Sequence, residues 1–105
     1  LMYGTINFVY SQVHAPRYNN VQKKGVYPEA SIRVIKYKDL SELTDWDIKI
    51  MKCEIYARHG YIFKNKELMG YFSNQPWYQP ISSKITEIKL SYIEKENIRF
   101  LEKFE

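Results

Sequence analysis

Polar and apolar positions alternate with period two at the start of the chain. Met2, Ile6, Phe8 and Tyr10 fall on one side and Thr5 and Asn7 on the other, which predicts a half-buried strand over residues 2–10. Residues 14–25 then gather Pro16, Asn19, Asn20 and Gly25 and read as a loop. Tyr27 stays extended because it precedes Pro28. A weaker alternation sets Ile32, Val34 and Lys36 against Arg33, Ile35 and Tyr37, and predicts a second short strand. The first third thus reads as a β arm or hairpin. Two strands alone are marginal, so the arm must lie on something.

From residue 44 onward the period becomes helical. Thr44 caps a helix with Asp45 and Asp47 in its first turn, and Asp47 stands at the capping-box spacing. Trp46, Ile50, Cys53 and Ala57 make one apolar stripe, and Ile48, Met51 and Ile55 make its neighbour. Gly60 should end this helix as a left-handed cap. A shorter helix is predicted over residues 66–73, capped by Asn65 and carrying Leu68, Met69, Tyr71 and Phe72. Pro76 and Pro80 then bracket Trp77 and Tyr78 in an extended loop. The last helix starts at Ser91, with Glu94 completing a second capping box. Ile93, Asn97, Phe100, Leu101 and Phe104 share one of its faces. The expected fold is mostly α, a small bundle of about three helices with the N-terminal arm across it.

Composition bounds the rest. A chain of 105 residues with 45% hydrophobic and 16% aromatic residues has material for one packed core. No stretch approaches the ~18 apolar residues that a spanning helix needs. The single Cys53 cannot form an internal disulfide, and with His14 and His59 it is too few for a Cys/His zinc site. The net charge of +4 is unevenly placed: residues 1–38 hold six basic residues against the acid Glu29, while residues 39–105 carry one more acid than base. Arg17, Lys23, Lys24, Arg33, Lys36 and Lys38 are scattered, which fits a solvated arm better than a dedicated polyanion site. The opening Leu1-Met2-Tyr3 lacks the basic start and apolar run of a signal peptide. That suits either a cytoplasmic chain or one whose leader has been removed.

Residues 54–80 carry a recognisable string, Tyr56-Ala57-Arg58-His59-Gly60, followed by Phe63, Leu68, the Tyr71-Phe72 pair and Trp77-Tyr78. Together with the Ile93-Glu94-Lys95 and Asn97-Ile98 ending, this resembles the YARHG domain, a bacterial module, over about residues 31–105. Residues 1–30 form an arm outside the resemblance. One departure is that Lys52-Cys53 stands where the family usually has Arg-Asn. The resemblance implies an extracytoplasmic setting, periplasmic, cell-surface or secreted, and implies no established chemistry.

Within the motif, Glu54 precedes Arg58 by four residues, the favourable order for a helical ion pair. Arg58 also complements the dipole in the last turn, so Glu54, Tyr56, Arg58 and Gly60 all have structural duties. Glu54 lies about 140° round the helix from His59 and cannot orient its imidazole. Arg58 and His59 are nevertheless candidate binding residues, with Trp77 and Tyr78, whose proline-flanked loop would present a flat aromatic platform. Asn97 is a polar residue on an apolar stripe; it is expected to bond the turn at residues 61–65, with ligand binding as the sharper alternative.

No catalytic constellation emerges. Asp45/Asp47 and Glu94/Glu96 diverge at i, i+2 on their helices, and Cys53 lies in an apolar stripe without a base beside it. The chain is therefore expected not to be an enzyme and to use no cofactor or metal. The leading expectation is a non-catalytic binding or interaction module of the bacterial cell envelope, with a cell-wall polymer or an envelope protein as partner. The second is nucleic-acid or anionic-polymer binding through the basic N-terminal third. A weak hydrolase using His59 stands third.

Overall fold

Thr44 starts the helix against which the other elements pack. Its Oγ1 accepts from the Asp47 N–H at 3.1 Å, and its own N–H donates to Asp47 Oδ2 at 3.0 Å, the reciprocal cap expected from the spacing. The computed structural model describes residues 24–105; helix α1 spans Asp45–Arg58, α2 Lys66–Ser73 and α3 Tyr92–Leu101. Asn65 Oδ1 accepts from the Leu68 N–H to cap α2. Ser91 and Glu94 cap each other's backbone at the start of α3.

The two stripes of α1 serve two cores. Ile48, Met51 and Ile55 pack with Ala30, Ile35, Leu40, Ile98 and Leu101 on one side. Ile50, Cys53 and Ala57 pack with Phe63, Leu68, Phe72 and Tyr78 on the other. The helix is thus sandwiched, which is why it is apolar on more than one face. Tyr27 and Tyr56 pack against both clusters and seam them together. Trp46 belongs to neither; it is 37% exposed at the helix start, edge-on to Tyr71.

The second strand expected over residues 32–37 is not formed, and the described residues contain no strand, only an isolated bridge between Tyr61 and Ser82. The strand expected over residues 2–10 lies outside the described residues. Residues 24–40 instead form a strap, with single 3-10 turns at Pro28–Ser31 and Tyr37–Leu40. Pro28 suits the first turn of a helix. Asp39 closes the second 3-10 turn by accepting from the Lys36 N–H at 2.8 Å. The Arg33 guanidinium beside Asp39, together with that Lys36 N–H, holds its carboxyl down at about 2. The alternation in the sequence was real but marked one anchor: Ile35 is buried while Ile32 and Val34 are half-exposed.

The Ile35 N–H meets a side chain instead of a neighbouring strand. Asn97, fully buried on α3, accepts from it at 2.8 Å and donates to the carbonyls of Ala30 and Arg33, each at 2.8 Å. The expectation that Asn97 would bond the turn at residues 61–65 is therefore corrected. The need for partners was legible, but not which unpaired backbone would arrive there. Asn97→Ala is expected to destabilise the fold by about 3 kcal/mol, since it strands one N–H and two carbonyls inside the protein. Urea unfolding would measure this; a loss under ~1 kcal/mol would show that the strap is held by other means.

Candidate functional site

The end of α1 is a Schellman turn made by the motif itself. Tyr61 N–H donates to the Tyr56 carbonyl at 3.1 Å and Gly60 N–H to the Ala57 carbonyl at 2.9 Å. Gly60 takes φ +87, the left-handed conformation such a cap requires. The rings of Tyr56 and Tyr61 meet at 5.8 Å, supplying the apolar contact that accompanies this cap. Beyond it, Gly60 and Tyr61 run beside residues 81–82, with the Ile81 N–H donating to the Gly60 carbonyl. A Cβ at Gly60 would lie 2.6 Å from the Ile81 side chain, so the position is closed to larger residues for two reasons.

One turn earlier, Glu54 holds the start of the strap. Its side chain is 1% exposed, and its carboxylate accepts from the N–H groups of Val26 at 2.7 Å and Tyr27 at 2.9 Å. Arg58, four residues on as the spacing predicted, completes the pair at 3.3 Å. The same guanidinium donates to the Lys24 carbonyl at 2.8 Å, the Ser31 hydroxyl at 2.9 Å and the Tyr27 carbonyl at 3.4 Å. Burial pushes the Glu54 carboxyl above its usual range, against the pull of the two N–H groups and Arg58. Burial likewise lowers the Arg58 guanidinium, with Glu54 opposing. Gly25 passes so close that a Cβ there would stand 2.6 Å from the Glu54 carboxyl carbon, and its φ is +113. The close approach of backbone to carboxylate needs glycine on both counts.

His59 faces a different carboxylate. Its Nε2 lies 2.8 Å from Glu94 Oε1, with the Glu94 side chain 6% and the imidazole 32% exposed. An ionised carboxylate only accepts, so Nε2 carries the proton. Burial pushes the Glu94 carboxyl upward, but the Ser91 N–H, the Ser31 hydroxyl and His59 outweigh it and hold it below the usual range. Ser31 accepts from Arg58, and its hydroxyl lies close enough to the Glu94 carboxyl to help lower it. Glu54, Arg58 and Ser31 thus tie α1 to the strap, and His59 with Glu94 ties the end of α1 to α3.

Sequence reasoning identified the Glu54–Arg58 pair and the Gly60 cap. It missed Glu94 as the partner of His59, because Glu94 read only as a capping residue. Ser31 and Gly25 carried no signal beyond turn chemistry. Of the expected aromatic platform, Tyr78 is a core residue, and its hydroxyl donates to the Tyr61 carbonyl at 2.7 Å. Trp77 is half-buried, edge-on to Phe72 and Tyr78. Arg58, His59 and Asn97 all face the strap or α3, whereas Trp77 and Tyr78 belong to the opposite cluster. Cys53, in the Lys52-Cys53 pair that stands where the resemblance led us to expect Arg-Asn, is buried, and burial pushes its thiol up to about 11. Its neighbour Lys52 pairs with Glu105.

An imidazole oriented by a buried carboxylate and partly open to solvent has the elements of a proton acceptor. Glu54 and Arg58, by contrast, direct their hydrogen bonds at the strap and at each other. Removing Arg58 should expose this directly. Arg58→Ala leaves a buried carboxylate without its cation and is expected to cost about 3–5 kcal/mol. Amide exchange at Val26 and Tyr27 should accelerate as their acceptor loses its support. Arg58→Lys should rescue little, since one ammonium cannot match a fork that reaches Glu54, Ser31 and two carbonyls. Wild-type protection in Arg58→Ala would show that Glu54 holds the strap unaided.

Comparison with known proteins places these features in a family. The YARHG domain signature matches residues 23–105 and so includes the strap from Lys24 onward. No curated protein and no solved structure matches the chain. With the match running from before the strap to the end of the last helix, this chain belongs to the YARHG domain family.

Proposed function

We propose that this chain is a non-catalytic binding module of the bacterial cell envelope, acting outside the cytoplasm on a wall polymer or an envelope protein. The observation that carries this reading is the direction of the motif's polar groups. Arg58 and Glu54 point at the strap and Asn97 at its backbone, so the most distinctive residues of the family build a scaffold. A scaffold made this way leaves recognition to its exterior, where Tyr37, Val34, Ile81 and Tyr92 stand half-exposed or more. Exposed apolar and aromatic side chains of this kind are common in interaction surfaces.

The test is co-sedimentation of the purified chain with insoluble bacterial cell-wall material at low and high salt. Binding that persists at high salt is the expected result. Binding confined to low salt would point to nonspecific attraction by the basic N-terminal third, and to the nucleic-acid or anionic-polymer alternative. No binding at either salt would remove wall polymer from the reading and leave a protein partner.

A second reading, a weak hydrolase using His59, is favoured by one observation, the Glu94 carboxylate 2.8 Å from the imidazole. Such a pair orients a general base. Turnover of any ester or amide substrate that disappears in His59→Ala, with the melting temperature preserved, would support it. A His59→Ala protein that loses stability and shows unchanged background hydrolysis would assign the pair to the scaffold.

A further inference from the structure

Next to the strap's second turn lies a surface that the motif does not use. Two shallow depressions, of ≈ 230 and ≈ 420 Å³, meet at Val34; one is bounded by Phe100 and Lys103 of the C-terminal region, the other by Lys36 and Lys38 of the strap. Tyr37 stands beside them, 69% exposed. Its ring is braced edge-on by Phe100 at 5.2 Å and Phe104 at 5.7 Å, so an exposed aromatic face is held in a fixed orientation. The Lys103 ammonium sits 5.9 Å from the centre of the Phe100 ring.

The rim is cationic. Arg33 pairs with Asp39 and Arg99 with Glu96, which leaves Lys36, Lys38 and Lys103 without an ion-pair partner among the described residues. Lys36 and Lys38 flank Tyr37 in sequence and line one depression, while Lys103 lines the other. Unpaired ammonium groups near a braced ring match a ligand that alternates a flat polar-edged ring with negative charge. A shallow open surface suits an extended chain rather than an enclosed small molecule. We propose that this face, centred on Tyr37, binds an acidic polysaccharide: a sugar ring lies on Tyr37 and the anionic groups of neighbouring sugars meet Lys36, Lys38 and Lys103.

Nucleic acid fits the same surface less well. Single-strand binders usually offer successive stacking rings along a strongly basic groove. Here no row of rings lines the two depressions, and Asp39 and Glu96 dilute the charge on the same rim. The assignment rests on the reading of the chain as a binding module and specifies where and what it binds. It differs from diffuse attraction by the basic N-terminal third in requiring the Tyr37 ring, so that binding persists in part at high salt. It also moves recognition away from Trp77 and Tyr78, which pack in the opposite cluster.

The direct experiment is an NMR titration of the full chain with polygalacturonate, with dextran as the neutral control. Amide shifts should concentrate at residues 33–39 and 96–104, and dextran should produce none there. Tyr37→Ala should weaken binding about tenfold, in line with the loss of one stacked ring. The exposed double variant Lys36→Glu/Lys38→Glu should weaken it at least as much, with an unchanged melting temperature to certify the fold. Shifts that fall elsewhere, equal binding of dextran, or tighter binding of oligo(dT) at this face would each overturn the proposal. The same variants applied to cell-wall sedimentation separate the two levels of inference. If wild type and both variants sediment alike, the module reading stands and this site falls. If polygalacturonate binds here but wall material does not sediment the chain, the site stands and the wall-polymer reading falls.

Discussion

The structure depends on how an irregular segment is allowed to lie inside a helical domain. Residues 24–40 contribute Ala30, Ile35 and Leu40 to a core cluster, yet form no sheet and no α-helix. Buried backbone groups without partners would offset the gain from that burial. Two buried side chains supply those partners: Glu54 accepts two strap N–H groups, and Asn97 takes one N–H and two carbonyls. Arg58 covers two more carbonyls and neutralises Glu54. A polar residue at the centre of each helix face is thus the condition for the strap to be there.

The family motif becomes intelligible on this basis. Tyr56 seams two cores, Ala57 is buried in one of them, Arg58 reaches the strap, His59 reaches α3 through Glu94, and Gly60 turns the chain. Five consecutive residues thereby connect α1 to nearly everything that touches it. Their succession is dictated by the end of a helix, where the periodicity of side chains and the left-handed cap must coincide. Such a motif builds a fold, and the recognition proposed above is assigned to residues outside it. The Tyr37 face illustrates the point: its rings come from the strap and the last two turns of the chain, and none of them belongs to the motif.

The buried charges also bear on specificity of folding. A desolvated ion pair contributes less to stability than its Coulomb attraction implies. Glu54 and Arg58, however, are tied to named backbone atoms of the strap, so an alternative seating would strip both of those partners and leave them only each other. The Gly25 approach sharpens this, because only a residue without a side chain passes the carboxylate at that distance.

The local elements were determined by sequence alone. Thr44/Asp47, Asn65, Ser91/Glu94 and Gly60 place the helix ends through interactions within a few residues, so the chain carries their positions wherever it folds. The Glu54–Arg58 pair was legible for the same reason, since one helical turn brings the two together. The partners of Asn97 and His59 were not, because they lie 62–67 and 35 residues away along the chain. Residues 32–37 of the strap read as a strand because alternation records which side chains are buried, while strand formation requires a neighbour for the backbone. Tyr78 was placed on the surface by its prolines and drawn inside by Phe72 and the Tyr61 carbonyl. Contacts closed within a turn or two were written in the residues themselves, and those that needed distant backbone to arrive were decided only by the tertiary packing.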